Sequence, residues 1–323
     1  MKLNVAVTGA SGFIGRQTVD HIHHLGHDVT AFVRKKTFIK GSQTTKIVEN
    51  IASELHWEEL LKGIDVVVHL AGRAHNINES NIQIDDIYKQ INCDATIEIA
   101  RAAGNVGVKR LIFLSSIKVN GEKTSINIPF KFNDKPKPEG PYSRSKYMAE
   151  QGLFNLSKSN SLEITVIRPP LVYGNGMKGN LMSLKRIMEF GLPLPFGGFN
   201  NNSRSLVSIQ NLVSLIGICL THTDAANQTF LVKDQKDIST RSLIYFLAEA
   251  YGLKSRIFTM PVFLLNLIFK IIGKSSYLEK MQDNLIIDDS ETRKILDWYP
   301  PLSLYDGFKL LGHKNELETN LND

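Results

Sequence analysis

The sequence predicts an α/β protein, a doubly wound parallel sheet with helices on both faces, followed by a smaller and mostly helical C-terminal lobe. Three observations predict it. Short apolar runs alternate with longer helical patterns through the first half of the chain. Those runs are continuously apolar, as strands buried on both faces must be. After Pro169 the texture changes to Gly-, Asn- and Pro-rich loops and further helices.

In order, LNVAVTG reads as the first strand, GFIGRQTVDHIHHLG as a helix, HDVTAFVR and KIVEN as strands, and DVVVHLAG as a strand after a short helix ending in LLKG. A helix through IEIARAAGNVG, the strand KRLIFLSS, the helix SKYMAEQGLFNLSKS and the strand LEITVIRPP complete the pattern. The stretches VYGNGMKGN and PLPFGGFNNNSR suit binding loops of a second lobe. The expected division gives residues 1–168 with about 205–232 to the sheet domain, 169–204 and 233–315 to the substrate lobe, and 316–323 to a frayed tail.

Composition excludes several classes. The chain has 323 residues, 42% of them hydrophobic and 22% charged, with no collagen, coiled-coil or disorder signature. Its net charge of +6 comes from scattered residues, so no nucleic-acid footprint is expected. Cys93 and Cys219 lie in apolar helical patterns without ligand spacing and read as reduced core thiols of a cytoplasmic protein. No signal peptide and no membrane span are expected. The apolar run PVFLLNLIFKIIG from Pro261 reads as a core or lobe-interface helix, a face toward a membrane surface or partner being the alternative.

VTGASGFIGR places Gly9, Gly12 and Gly15 between a strand and a helix. Gly9 permits the tight turn, Gly12 lets backbone approach a pyrophosphate, and Gly15 lets helix and strand pack closely. This is dinucleotide-binding, Rossmann-type logic, and the missing GK[ST] speaks against a phosphate-loop NTPase. In AFVRKK, at the end of the second strand, Arg34 suits a ribose 2′-phosphate, so NADP(H) is favoured, with NAD(H) the other option. A solvated basic face is the plain alternative for Arg34, Lys35 and Lys36.

In PYSRSKYMAE, Tyr142 and Lys146 are four residues apart and share a helix face. A phenol titrates near pH ~10, and a nearby ammonium is expected to lower that value so that tyrosine can exchange a proton. Ser116, in LIFLSSIKVNG about 25 residues upstream, falls at the carboxyl edge of the sheet, where it can hold a substrate oxygen. His21, His23, His24 and His27 read as a helix-surface cluster, not a metal site, and His69 as a core residue. Trp57 and Trp298 read as packing residues.

Together VTGASGFIG, VVVHLAG, the helix around Asn92, LSSIKVNG, YSRSK, IRPPLVYG and SRSLVSIQNLV resemble the extended short-chain dehydrogenase/reductases, in the group of nucleotide-sugar epimerases, dehydratases and 4-ketoreductases. The resemblance covers nearly the whole chain. It implies Ser116, Tyr142 and Lys146 as catalytic residues. It implies cofactor contacts at Gly9, Ser11, Gly12, Phe13, Ile14, Gly15, Leu70, Ala71, Gly72, Asn92 and Pro169, besides Tyr142 and Lys146. Asn50 and Ile51 match a position near adenine that usually carries an acid. On the substrate side it implies Asn180, Leu181 and Arg204, with a helix N-cap as the alternative for Asn180 and a surface ion pair for Arg204.

GRAH, KVNGEKT, GLPLPFG and DWYPPLSLYDGF look most like enzymes making UDP-linked N-acetyl deoxysugars for surface polysaccharide. Asn120 and the pair Pro169 and Pro170 depart from many epimerases. The implied activity is hydride transfer at C4 of a UDP-hexose or N-acetylhexosamine, favoured as UDP-4-keto-6-deoxy-sugar reduction. A UDP-sugar 4-epimerase with retained NAD is the alternative, and a non-catalytic NADP(H) sensor the alternative of another class. A homodimer through the Asn92 and Tyr142 helices is expected by analogy.

Overall fold

The computed structural model describes residues 2–74, 84–177, 179–273 and 275–312. The tail expected to fray lies outside them, as does most of GRAH's continuation. The described elements run β1 (Asn4–Thr8), α1 (Phe13–His24), β2 (Asp28–Val33), β3 (Thr44–Ile47), α2 (Trp57–Leu60), β4 (Val66–His69) and α3 (Ile84–Lys89). A π-helical segment, Gln90–Asp94, joins α3 to α4 (Ala95–Asn105). Then come β5 (Arg110–Leu114), a 3₁₀ turn at Ile117–Val119, α5 (Gly140–Ser157), β6 (Glu163–Arg168), β7 (Leu171–Tyr173), α6 (Asn180–Glu189), β8 (Leu206–Ser208), α7 (Ile209–Cys219) and β9 (Gln228–Leu231). Four helices and a fifth follow: α8 (Thr240–Ala250), α9 (Val262–Ile271), α10 (Ser275–Gln282), α11 (Ser290–Leu296) and α12 (Leu304–Gly312).

Seven strands form one parallel sheet in the order β3-β2-β1-β4-β5-β6-β9. Alternation along each strand divides the core. Val5, Val7, Val66, Val68 and Ile112 join α1 and α7 on one face. Ala6, Val67, Leu111 and Phe113 meet α4 and α5 on the other. Both faces are dry, which is why the strands read as unbroken apolar runs. The order reverses between β1 and β4, where ligands of open α/β sheets bind at the carboxyl ends.

A third core gathers Tyr173, Leu181, Leu184, Phe196, Leu247 and Phe308 from the later elements, beside the two-stranded β7-β8 ladder. Here one expectation is corrected. The run from Pro261 forms α9, but it is not a core or interface helix: Leu265 is its one buried residue. The physical reason is a narrow seam, since α9 meets the lobe through Leu265 and Phe269, one turn apart, and the rest of its circumference stays outside.

Candidate active site at the carboxyl edge of the sheet

The turn after β1 is built by close approach. Gly9 has φ +68, and a Cβ there would lie 2.8 Å from the Ala71 nitrogen. A Cβ on Gly15 would lie 2.1 Å from the Gly9 oxygen, so only glycine lets α1 start this near β1. Gly12 is the extended N-cap of α1 and supplies no side-chain cap. The first N–H groups of the helix are therefore available to an anion.

In front of this turn lies a cleft of about 550 Å³, a size that suits a small-molecule cofactor. Gly9, Ser11, Gly12, Arg34, Asn50, Ile51, Leu70, Ala71 and Gly72 line it, as the sequence led one to expect. Phe13, Ile14 and Gly15 do not line it. Phe13 packs toward Gly174 and the third core, Ile14 packs on the first, and Gly15 is buried. Sequence reasoning missed Glu49, Trp57, Arg73 and Ile91, which also line the cleft. Glu49, one residue before Asn50 in KIVEN, puts a carboxylate on the cleft wall next to the position where the resemblance led one to expect an acid.

Two buried polar clusters pin the cleft's inner wall. His69 sits between hydroxyls, with Nδ1 2.7 Å from Thr8 Oγ1 and Nε2 3.0 Å from Thr96 Oγ1. Thr8 Oγ1 also accepts from the Ala71 N–H. Burial, helped by Lys146, lowers the His69 pKa to about 3, so the ring is neutral and structural. Asn92 Oδ1 accepts from the Arg73 N–H at 2.7 Å, and its Nδ2 donates to the Arg73 carbonyl and to Ser145 Oγ. The π-helical segment carries Asn92 inward to make these bonds, a local unwinding that often marks functional sites.

Ser116, Tyr142 and Lys146 converge. Ser116 follows β5 in extended conformation and caps the 3₁₀ turn, its Oγ accepting from the Lys118 N–H. Tyr142 and Lys146 lie in the first turns of α5, which Pro141 helps to start. The Ser116 hydroxyl lies close enough to the Tyr142 phenol to act on its titration. Lys146 Nζ donates to the Leu114 carbonyl at 2.9 Å and lies 4.4 Å from the centre of the Phe113 ring. An added Cβ on Gly72 would come within 3.4 Å of that same Nζ, which joins the trio to the cleft.

The electrostatics correct a second expectation. Tyr142 is not lowered by the lysine; burial pushes it up to about 12, against the opposing effect of the Ser116 hydroxyl, and the nearby Tyr88 and Glu122 raise it further. Lys146 is itself lowered to about 8 by burial, with Glu150 opposing. The reason is dehydration: both groups point inward from α5, where removing water from a charge outweighs their mutual help.

Behind the trio runs a buried polar chain that sequence reasoning missed. Ser115 Oγ donates to Glu150, Glu150 pairs with Arg168, and Arg168 Nη1 donates to Asn120 Oδ1 at 2.9 Å. The Ile117 N–H donates to the Pro169 carbonyl at 3.0 Å, so Pro169 holds the serine loop rather than lining the cleft. Spacing did offer a signal, since Glu150 stands four residues after Lys146 on the same helix.

On the substrate side, Asn180 is exposed at the first position of α6, whose N-cap is Gly179. The Leu181 side chain is buried in the third core, leaving its backbone for a ligand. Arg204 Nη1 donates to the carbonyls of Lys280 at 2.5 Å and Asp283 at 3.1 Å, which ties β8's approach to α10. Among the described residues no group of three or more His, Cys, Asp or Glu could hold a metal ion, and no helix is long and apolar enough to cross a membrane.

The comparisons agree with this layout. A UDP-glucose 4-epimerase of Vibrio cholerae is 39% identical over 309 residues, covering 96% of this chain and 94% of that protein. The solved UDP-glucose 4-epimerase of Thermotoga maritima, with UDP-glucose, shares the fold at a TM-score of 0.77 and 21% identity, covering 96% of this chain and 97% of that one. The UDP-glucuronic acid 4-epimerase of Bacillus cereus, in complex with NAD, does so at a TM-score of 0.76 and 19% identity, covering 96% of each chain. The family model described as the NAD dependent epimerase/dehydratase family matches residues 5–232. With the glycine cradle, the cleft and the serine, tyrosine and lysine in place, the chain belongs to that family.

Proposed function

We propose that the protein is a UDP-sugar 4-epimerase that keeps NAD bound and moves hydride off and back onto C4 of a UDP-linked hexose or N-acetylhexosamine. The observation that carries the reading is the convergence of the Tyr142 phenol and the Ser116 hydroxyl beside a buried Lys146, held by the Leu114 carbonyl at the cleft's edge. The Vibrio cholerae relative, similar over nearly the whole chain, supports the epimerase outcome.

The residues present fit a dinucleotide: Gly9 and Gly15 bring β1, the turn and α1 closer together than any Cβ would allow, and the cleft in front of that turn continues along Asn50, Ile51 and Leu70. Gly12 and the start of α1 would hold the pyrophosphate, and Glu49 would face the adenosine end. When bound, NAD supplies a hydride acceptor whose oxidised ring carries positive charge. Ser116 Oγ then donates to the C4 oxygen and fixes it opposite Tyr142. Tyr142 Oη takes the C4 hydroxyl proton and later returns it. With its phenol held near 12, Tyr142 stays protonated at neutral pH until positive charge gathers beside it, which couples proton removal to an oxidised cofactor. Lys146 supplies part of that charge and holds the ribose.

A second reading has one observation of its own. Arg34 is exposed at the cleft, where it suits a 2′-phosphate, and this favours NADP(H) and a UDP-4-keto-6-deoxy-sugar reductase. Purified protein separates the two. The epimerase interconverts C4 epimers of UDP-glucose or UDP-N-acetylglucosamine without added cofactor and releases NAD on denaturation. The reductase consumes NADPH stoichiometrically with a UDP-4-keto-6-deoxy-N-acetylhexosamine. The fold also suits a homodimer through α4 and α5, to be checked by light scattering.

A further inference from the structure

The helix α9 is turned inside out. Phe263, Leu267 and Ile271 recur at every fourth position and are 70%, 55% and 76% exposed, opposite the seam made by Leu265 and Phe269. An ordinary surface helix places its polar residues there. Leu264, Ile268 and Ile272 widen the apolar face, and Phe190, 79% exposed, sits on a loop tied to the approach of α9 by the bond from Arg256 to the Gly191 carbonyl. This contiguous patch is larger than isolated exposed apolar residues would make it.

Charge identifies what covers it. From Lys254 to Leu278 the sequence holds four basic residues, Lys254, Arg256, Lys270 and Lys274, and no aspartate or glutamate. Lys254 and Arg256, on the segment that leads into α9, and Lys270, in its last turn, are all exposed. A second copy seated there about a two-fold axis would set lysines against lysines. A bilayer with anionic headgroups meets both demands at once, taking the apolar side chains into its interface and the basic ones against its phosphates. At ten residues α9 is about 15 Å long, which suits lying in the interface and not spanning it.

We infer that α9 is a membrane-surface anchor that holds the protein on anionic lipid. The anchor adjoins the substrate lobe, since α10 follows it, and Lys280 of α10 and Asp283 just after it supply the carbonyls that accept from Arg204. The inference stands apart from the C4 chemistry and survives whichever reaction the site performs.

Vesicle flotation of the full chain tests it. The chain is expected to float with phosphatidylcholine vesicles containing phosphatidylglycerol and to stay behind with pure phosphatidylcholine. Each exposed basic residue near an anionic surface is worth roughly fivefold in partitioning, so the pair Lys254→Gln and Lys270→Gln should weaken binding by more than tenfold, as should high salt. The triple variant Phe263→Ser, Leu267→Ser, Ile271→Ser should lose flotation while keeping its circular dichroism and NAD binding. Wild-type protein that floats with neither vesicle at low salt overturns the inference. So does a triple variant that floats as well as wild type, or a concentration-dependent dimer that the triple variant dissolves, which would make a second copy the occupant.

Discussion

Arg168 closes a fork on Glu150, with Nη2 2.5 Å from Oε2 and Nε 3.0 Å from Oε1, inside a protein where both side chains are almost fully buried. The pair links β6 to α5 and through Ser115 and Asn120 to both sides of the Ser116 loop. Removing one partner strands a buried charge. Glu150→Ala should destabilise the protein by about 3–5 kcal/mol, read as a lower denaturant midpoint. The double variant Glu150→Met, Arg168→Met should lose much less than the two single changes added together.

Tyr142→Phe removes the one oxygen placed to exchange a proton with the substrate. It should lower kcat by about 10²- to 10⁴-fold and leave NAD binding intact. Ser116→Ala, which keeps the proton carrier and loses the oxygen's second partner, should reduce the rate less. Steady-state kinetics with equilibrium cofactor binding separates the two.

Lys146 carries a function–stability conflict with a defined pH signature. Burial lowers it from the ordinary lysine value of 10.5 to about 8, so below about 8 the folded state bears a buried cation that the unfolded state keeps in water. Between about 8 and 10.5 the unfolded chain binds more protons, and stability rises with pH. Lys146→Met should therefore abolish activity while unfolding no more easily than wild type at neutral pH. Its advantage should shrink as the pH is raised through that window, as thermal melts at several pH values will show.

Gly15→Ala forces a methyl to within 2.1 Å of the Gly9 carbonyl oxygen. Backbone must give way at the cradle itself. Loss of NAD binding, measured by calorimetry, should exceed tenfold, whereas Gly63→Ala, at a turn glycine with φ +76 and open space around it, should cost stability through its backbone but leave binding unchanged.

The sheet was legible because short apolar runs bounded by turn residues and alternating with longer helical patterns mark strands covered on both faces, and the cleft because glycine at a close approach has no substitute. The serine, tyrosine and lysine were legible from spacing and order. What stayed hidden depends on contacts distant in sequence. The Glu150–Arg168 pair spans 18 residues and the bond from Arg168 to Asn120 spans 48, with no local pattern to announce them. The direction of the Tyr142 shift was misjudged because spacing shows the lysine's charge but not the dryness around it. For α9, apolar periodicity said helix, yet exposure is settled by how much of the lobe is left to cover it.

Deuterium at C4 of the substrate tests the central claim most directly. Incubated with purified protein and no added cofactor, 4-deuterated UDP-glucose or UDP-N-acetylglucosamine should yield its C4 epimer with the label still on C4, because hydride leaves and returns without meeting water. An epimer whose label has washed into solvent, or no epimer at all, would contradict it.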